Sequence, residues 1–342
     1  MITAKYLSLK TAIIAAICIL VLTTWGHQES NAADMPAAKQ SHLELKIGAV
    51  FGVSTISMLK LFHEKPALGK NVSTIYETIT SPDQVAARMI SGELDMVMVA
   101  SNLGAKLYNK GVPYKLAGVM VWGNLYVVSH EKLQGWQDLK GREIFMHARG
   151  LTPDYVFQHL LRENGLDPQK DVKLTYLPGG PQALAMAFIG GKSRISMMPE
   201  PMLAKVRQRC RNTHVVIDIQ KEWQRTTHAS HPGFPQGALL IKNRIIEKHP
   251  ETVELFLQKY ADSIAWLNAN PAQAGEYAEN LAIGMQAKAV TAGIPGCNLR
   301  YVDSLDAAGE LETLFTILYQ FNPDAVGGSV PDRGIYYNRQ AR

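Results

Sequence analysis

The chain has 342 residues, with 35 Lys and Arg against 30 Asp and Glu, a formal net charge of +5, and 46% hydrophobic against 19% charged residues. That is the balance of a globular chain able to bury a core. No run of Lys and Arg interleaved with aromatics is present, so nucleic acid is a poor partner, and the mild basicity favours small anions weakly.

In chain order, Lys5 and Lys10 come first, then an apolar run of 11 residues at 12–22, then a polar stretch leading to small residues at Ala32 and Ala33. This is the order of a secretory signal peptide. A membrane span at 1.5 Å per residue needs about 20 apolar residues, so the run is short for an anchor. Cys18 lacks the flanking residues of a lipoprotein site, having Ala15 and Ile17 before it. The expectation is a soluble periplasmic protein beginning near Ala33 or Asp34. Removing Lys5, Lys10 and Glu29 with the leader lowers the charge to +4 and leaves about 309 residues, enough for two domains. Cys210 and Cys297 remain, either bridged in an oxidising compartment or buried as free thiols.

From residue 43 onward, short apolar strands alternate with helical segments: strand 43–50, helix 54–63, strand 72–77, helix 82–91, strand 94–99, helix 103–109 and strand 115–121. The pattern continues with strand 143–147, helix 153–164, strand 172–177 and strand 214–219. Residues 223–236 read as a connection rich in His, Pro and Gly. Strand 237–241 and helices 250–268 and 271–282 follow. Such alternation belongs to the α/β class with parallel sheets.

An internal repeat organises the pattern. PDQVAARMISGELDMVMVA at 82–100 lies without gaps over PQALAMAFIGGKSRISMMP at 181–199, matching Pro82 with Pro181, Ala86 with Ala185, Ile90 with Ile189, Gly92 with Gly191 and Met98 with Met197. Each copy reads as a proline-started helix, a glycine C-cap and a buried strand. One such unit per lobe implies two α/β lobes. The expected division is a signal peptide at 1–33, a first lobe at 34–128, a second at 129–234, a return to the first at 235–326 and a polar tail at 327–342.

In open parallel sheets, ligands sit beyond the carboxyl ends of strands. The loops there hold Phe51, Gly52, Val53, Ser54 and Thr55 after the first strand and Ser101 and Asn102 after the third. Arg149, Gly150 and Thr152 lie in HARGLT, and Glu200 lies between two prolines. Arg149 is the cation that suits a carboxylate, sulfonate or phosphate; an ion pair with Asp154 or Glu200 is its structural alternative. Ser54, Thr55, Asn102 and Thr152 suit either ligand bonds or helix caps. Trp122 suits either an aromatic solute or hinge packing. His228 and His231, with His147, form an incomplete metal set, so metal is a minor alternative and no cofactor is expected.

The residues at 135–180 (GWQDLKGREIFMHARGLTPDYVFQHLLRENGLDPQKDVKLTYLPGG), PEPML at 199–203 and KNRIIEKHPETVELFLQKYADSIAWLNANPAQAG at 242–275 resemble the NMT1/THI5-like group of sulfonate, nitrate, taurine and thiamine-precursor binding proteins. The resemblance covers nearly the whole mature chain. It implies a type II periplasmic-binding fold: two α/β lobes, a hinge, a ligand cleft between them and delivery to an ABC permease. One departure is Arg194, where the family commonly has Asp, whereas Asp95 keeps it in the first copy. The expectation is a monomeric, non-catalytic receptor for a small organic anion, with a pyrimidine or other aromatic solute as the alternative. Thiamine-pyrimidine synthases and a menaquinone-pathway enzyme share the fold, but the leader and the lack of a cysteine-rich motif speak against them. Arg149 and Asn102 make the expected two-sided contact.

Overall fold

The computed structural model describes residues 42–339; the signal peptide expected at 1–33 lies outside them. Apolar runs with β-branched residues make the inner strands. β1 (Leu43–Val50) pairs in parallel with β2 (Val72–Ile79) and β3 (Met96–Ala100). The β1–β2 crossover carries α1 (Val53–Ser57) and α2 (Leu59–Glu64), and the β2–β3 crossover carries α3 (Pro82–Ile90). α4 (Ser101–Asn109) then leads to β4 (Tyr114–Val121).

The chain crosses over at residues 122–124 and enters a second sheet as β5 (Leu125–Ser129). There follow β6 (Glu143–Met146), α5 (Thr152–Glu163), β7 (Lys173–Tyr176), α6 (Gly180–Ile189), β8 (Ile195–Pro199), α7 (Met202–Arg209), β9 (His214–Asp218) and α8 (Ile219–Thr227). It returns as β10 (Gly237–Lys242), α9 (Asn243–Lys248), α10 (Pro250–Ala269), α11 (Pro271–Asn280), α12 (Ala287–Gly293), β11 (Leu299–Asp303) and α13 (Ala308–Phe321).

The six-stranded sheet runs β11-β4-β10-β3-β1-β2 and the five-stranded sheet β7-β6-β8-β5-β9. The repeat accounts for this likeness. α3 with β3 and α6 with β8 are its two copies, and Gly92 and Gly191 end the helices with φ of 69° and 72°. β3 and β8 hold the same place, each between a parallel neighbour and an antiparallel strand that has just arrived from the other lobe, β10 or β5.

One buried cluster is continuous across the crossover, joining Val97, Val99 and Leu116 of the first sheet to Val127 and Met197 of the second and Phe157 of α5 through Trp122, Trp223 and Phe234. Separate clusters back each sheet, one around Leu45, Ile47, Phe256 and Tyr260, the other around Val128, Phe188, Met198 and Leu203. Burying a large apolar side chain is worth about 1.5–3 kcal/mol, so the continuous cluster ties the lobes on one side.

Several elements depart from the sequence reading. The helix expected at 54–63 breaks at Met58, because Ser57 Oγ bonds the Ser54 carbonyl at 2.7 Å and Tyr260 Oη at 2.6 Å, competing with the helix ladder. The connection expected at 223–236 begins as helix: Asp218 caps α8 by accepting from the amides of Gln220 and Lys221, and Trp223 is fully buried. The tail is packed as well. Ile335, Tyr336 and Tyr337 are buried, the Tyr337 amide extends the sheet at Leu116, and Arg339 pairs with Glu254 and Asp303. Cys210 and Cys297 are unbridged; Cys297 is buried as expected of a free thiol, but Cys210 is only half-buried.

Candidate functional site

Two segments cross where the lobes join, a third at Asn298 lies against them, and their close approach requires glycine. A β-carbon on Gly233 would stand 1.8 Å from the Trp122 carbonyl oxygen, and its φ of 95° favours glycine independently. Asn298 fastens the crossing, its Nδ2 donating to the carbonyls of Trp122 at 2.5 Å and Pro232 at 3.0 Å. Gln220 Oε1 accepts from the Leu125 amide at 2.8 Å while its Nε2 donates to the Leu125 carbonyl at 3.0 Å. Trp122 itself is fully buried here, its indole N–H donating to the Arg300 carbonyl at 3.1 Å and its ring 4.8 Å from that of His231. Its observed role is hinge packing, and its only polar atom is already used.

The ends of β1, β3, β6 and β8 converge on this crossing, along with the starts of β5 and β10. On the first lobe, the Phe51 amide donates to Ile79 O at 2.8 Å, Gly52 has φ 119°, and Thr55 Oγ1 donates to Val50 O at 2.9 Å, leaving Val53 and Ser54 half-buried beside them. Ser101 is buried, with its hydroxyl donating to the Pro235 carbonyl, and Asn102 Nδ2 donates to Ala325 O at 3.2 Å. Both act as struts in this conformation: one holds the second crossing, the other the turn after α13.

On the second lobe, Asp154 organises the HARGLT loop. It is buried and accepts from the Gly150 amide, Gln158 Nε2 and Tyr176 Oη, each at 2.7 Å. A carboxylate so supplied has no need of a cation, and Arg149 makes no ion pair with it or with Glu200. Its guanidinium lies 5.3 Å from the centre of the Tyr176 ring, in a groove of about 660 Å³ that also includes Gly150, Gln158 and Lys173. All of that groove's lining belongs to the second lobe, so the structure does not bring Arg149 and Asn102 together in it.

Glu200 is the residue whose setting the sequence left least readable. Only 6% exposed, it accepts from the Ala204 amide through Oε2 at 2.9 Å, capping α7, and its backbone exchanges bonds with Asn124. Burial pushes its carboxyl up to about 7, with the Ala204 bond and Arg207 pulling the other way. Gly293 and Gly296, on the first-lobe side, press against it.

Among the described residues eleven buried side-chain polar atoms have no partner, and four of them belong to residues beside the converging strand ends: Asn124 Oδ1, His147 Nε2, Thr152 Oγ1 and Gln236 Oε1. The Asn124 orientation follows from chemistry, because Nδ2 stands 2.7 Å from the Glu200 carbonyl, which can only accept. Desolvation holds His147 below the usual imidazole range, so it is neutral at pH 7. Thr152 opens α5, where unpaired amides favour an acceptor. Leaving a polar group buried and unpaired costs about 1–3 kcal/mol. The sequence reading selected Thr152 but missed Asn124 and Gln236, whose burial depends on the crossing.

The model of the NMT1-like family matches residues 59–282, spanning both sheets and the second crossing. The chain belongs to the NMT1-like family. Among relatives of this NMT1-like protein, YtlA of Bacillus subtilis (strain 168), whose name describes a binding protein, is 19% identical over 274 residues, or 79% of this chain and 76% of YtlA. The crystal structure of an ABC transporter protein from Parabacteroides distasonis superposes with a TM-score of 0.75 at 23% identity, covering 88% of this chain and 100% of that one. The periplasmic aliphatic sulphonate binding protein SsuA of Escherichia coli gives 0.67 at 16%, covering 87% and 93%. The periplasmic nitrate-binding protein NrtA of Synechocystis PCC 6803 gives 0.56 at 11%, covering 82% and 81%. The NMT1-like chain therefore has the two-lobed periplasmic-binding-protein fold. No helix among its described residues is long and apolar enough to cross a membrane. His231 is committed to Glu310 at 2.9 Å, and no group of three metal-ligating side chains occurs among the described residues.

Proposed function

We propose that this protein is the exported solute-binding receptor of an ABC importer, closing its two lobes on a small organic anion and presenting it to a membrane permease. The observation that carries the reading is the set of four unpartnered polar atoms around the converging strand ends. A bound solute restores their hydrogen bonds, and the energy regained favours the closed form. Family membership and the fold shared with proteins named for sulphonate and nitrate binding support the class.

The anion preference rests on Arg149, which makes no ion pair among the described residues, and on the α5 terminus at Thr152, worth about 0.3–1 kcal/mol to a negative charge at an exposed site. Phe51 to Thr55 supply the opposite wall. Asn124 Oδ1 needs a donor, so the solute carries an N–H or O–H besides its acid group. Nothing in this arrangement pairs a nucleophile with a base at the crossing, and the solute leaves unchanged. The protein works as a monomer in the periplasm.

Thermal-shift screening of the mature protein against alkanesulfonates, hydroxy- and amino-carboxylates, nitrate and pyrimidines tests the reading. A solute at 100 times its dissociation constant stabilises the native state by about 2.7 kcal/mol, and small-angle scattering should show compaction with it. Stabilisation by pyrimidines alone, or chemical change in the recovered solute, overturns it.

A further inference from the structure

Away from the crossing, one pair of side chains combines a nucleophile with a base. Cys210 is half-buried just after α7, and its Sγ stands 3.7 Å from Nδ1 of His130. The other ring nitrogen, Nε2, lies 2.9 Å from the Phe188 carbonyl oxygen. A carbonyl only accepts, so Nε2 carries the ring hydrogen and Nδ1 turns a lone pair toward the thiol. The ring is held there by stacking on Phe188, with centroids 4.0 Å apart and planes 11° from parallel. Thr213 Oγ1 fixes the turn by donating to the Cys210 carbonyl at 2.7 Å. Arg209 and Arg211 flank the cysteine in the chain, are exposed, and make no ion pair among the described residues.

These features separate Cys210 from Cys297, which is fully buried and whose thiol burial pushes up, away from the nucleophilic thiolate. Reactive thiols sit partly exposed, beside a base and positive charge. We propose that Cys210 is a modification site that takes up a small, negatively charged disulfide as a mixed disulfide, with His130 as its base. The Cys210 proton passes to Nδ1 of His130, and the thiolate attacks one sulfur of RS–SR. The S–S bond of the reagent breaks as the Cys210–S–S–R bond forms, and the departing RS⁻ takes the proton back from His130 and leaves as RSH. Arg209 and Arg211 draw the anionic reagent to the thiol.

The experiment is intact-mass kinetics on the purified mature protein, beginning near Ala33 and so without Cys18, with oxidised glutathione and, in parallel, the uncharged hydroxyethyl disulfide. One adduct is expected, mapped by peptide digestion to Cys210, and Cys210→Ser should take none. His130→Phe keeps a stacked ring and removes the base; it should slow both reagents by about tenfold. Arg209→Gln with Arg211→Gln should slow glutathione disulfide and leave hydroxyethyl disulfide unchanged, which separates charge steering from any loss of fold. Adduct formation on Cys297, equal rates in His130→Phe, or equal slowing of both reagents by the arginine changes would overturn the proposal.

Discussion

Gly296 and Glu200 meet between the lobes at a spacing that leaves no room for a side chain on the glycine: a β-carbon there would stand 2.8 Å from Cγ of Glu200 and 3.2 Å from Tyr126 Oη. Tyr126 donates to the Gly296 carbonyl at 2.9 Å, and nearby Gln208 Nε2 donates to Lys288 O at 3.2 Å. The turn after α12 therefore rests directly on the end of β8. Gly296→Ala should force these surfaces apart, at the roughly 1–3 kcal/mol typical of overpacking. Differential scanning calorimetry should show a lower melting temperature, with a smaller change for an exposed control such as Gly309→Ala, where a β-carbon meets nothing.

Burial raises the Glu200 carboxyl from its ordinary 4.5 to about 7. Below 4.5 the proton is bound whether the chain is folded or not. As pH rises from 4.5 through 7, the unfolded chain releases it first and the folded protein keeps it, so stability is lost across that window. The loss is on the order of 3 kcal/mol. Glu200→Gln retains an acceptor for the Ala204 amide and should flatten this part of the stability profile. Chemical denaturation at pH 4.5, 6 and 7.5 measures it; parallel profiles for parent and variant would count against the assignment.

Thr152→Val should separate stability from binding. The hydroxyl is buried without a partner, so a methyl of similar shape removes a cost and should raise the melting temperature of the empty protein by the equivalent of about 1 kcal/mol. The same change should weaken the solute identified by screening, because its bond to Thr152 is gone. Calorimetric titration and melting on one preparation check both signs.

Asp154→Ala should act in one direction only. Three donors, the Gly150 amide, Gln158 and Tyr176, lose their acceptor together. A loss of about 1–3 kcal/mol is expected, with faster amide exchange through 147–152. Arg149→Ala, lacking any ion pair to break, should leave the melting temperature nearly unchanged while weakening the anion.

What sequence could and could not supply follows from the range of the forces involved. The apolar run LELKIGAV marked β1 to the residue, and the proline, glycine and buried-strand order marked α3–β3 and α6–β8, because those signals are local. β5 carries no local mark of that kind: it is a short strand whose partners β8 and β9 lie far along the chain. α8 was hidden by the His, Pro and Gly residues after it, although Asp218 caps it. At the site, Ser101, Asn102 and Trp122 have the chemistry of ligand contacts, but their partners are Pro235, Ala325 and Arg300, contacts that only the folded crossing creates. Thr152 and Arg149 remain available for the role their residue types suggest.

The sheet order also sets a timetable for making the protein. β5 to β9 form one uninterrupted stretch, and Tyr126 at its start pairs with Asp218 at its end, so this lobe holds all its strands as soon as β9 has emerged. The other lobe cannot close then. Its β3 and β4 are separated by a place reserved for β10, which arrives only with Gly237–Lys242. Until then two apolar strands have unpaired edges, the form of exposure that invites wrong pairings. A chain threaded unfolded across a membrane and released whole avoids that interval, whereas one folding as it leaves the ribosome must wait through it. Expression in the cytoplasm should therefore aggregate through the first lobe, and slower elongation should make this worse.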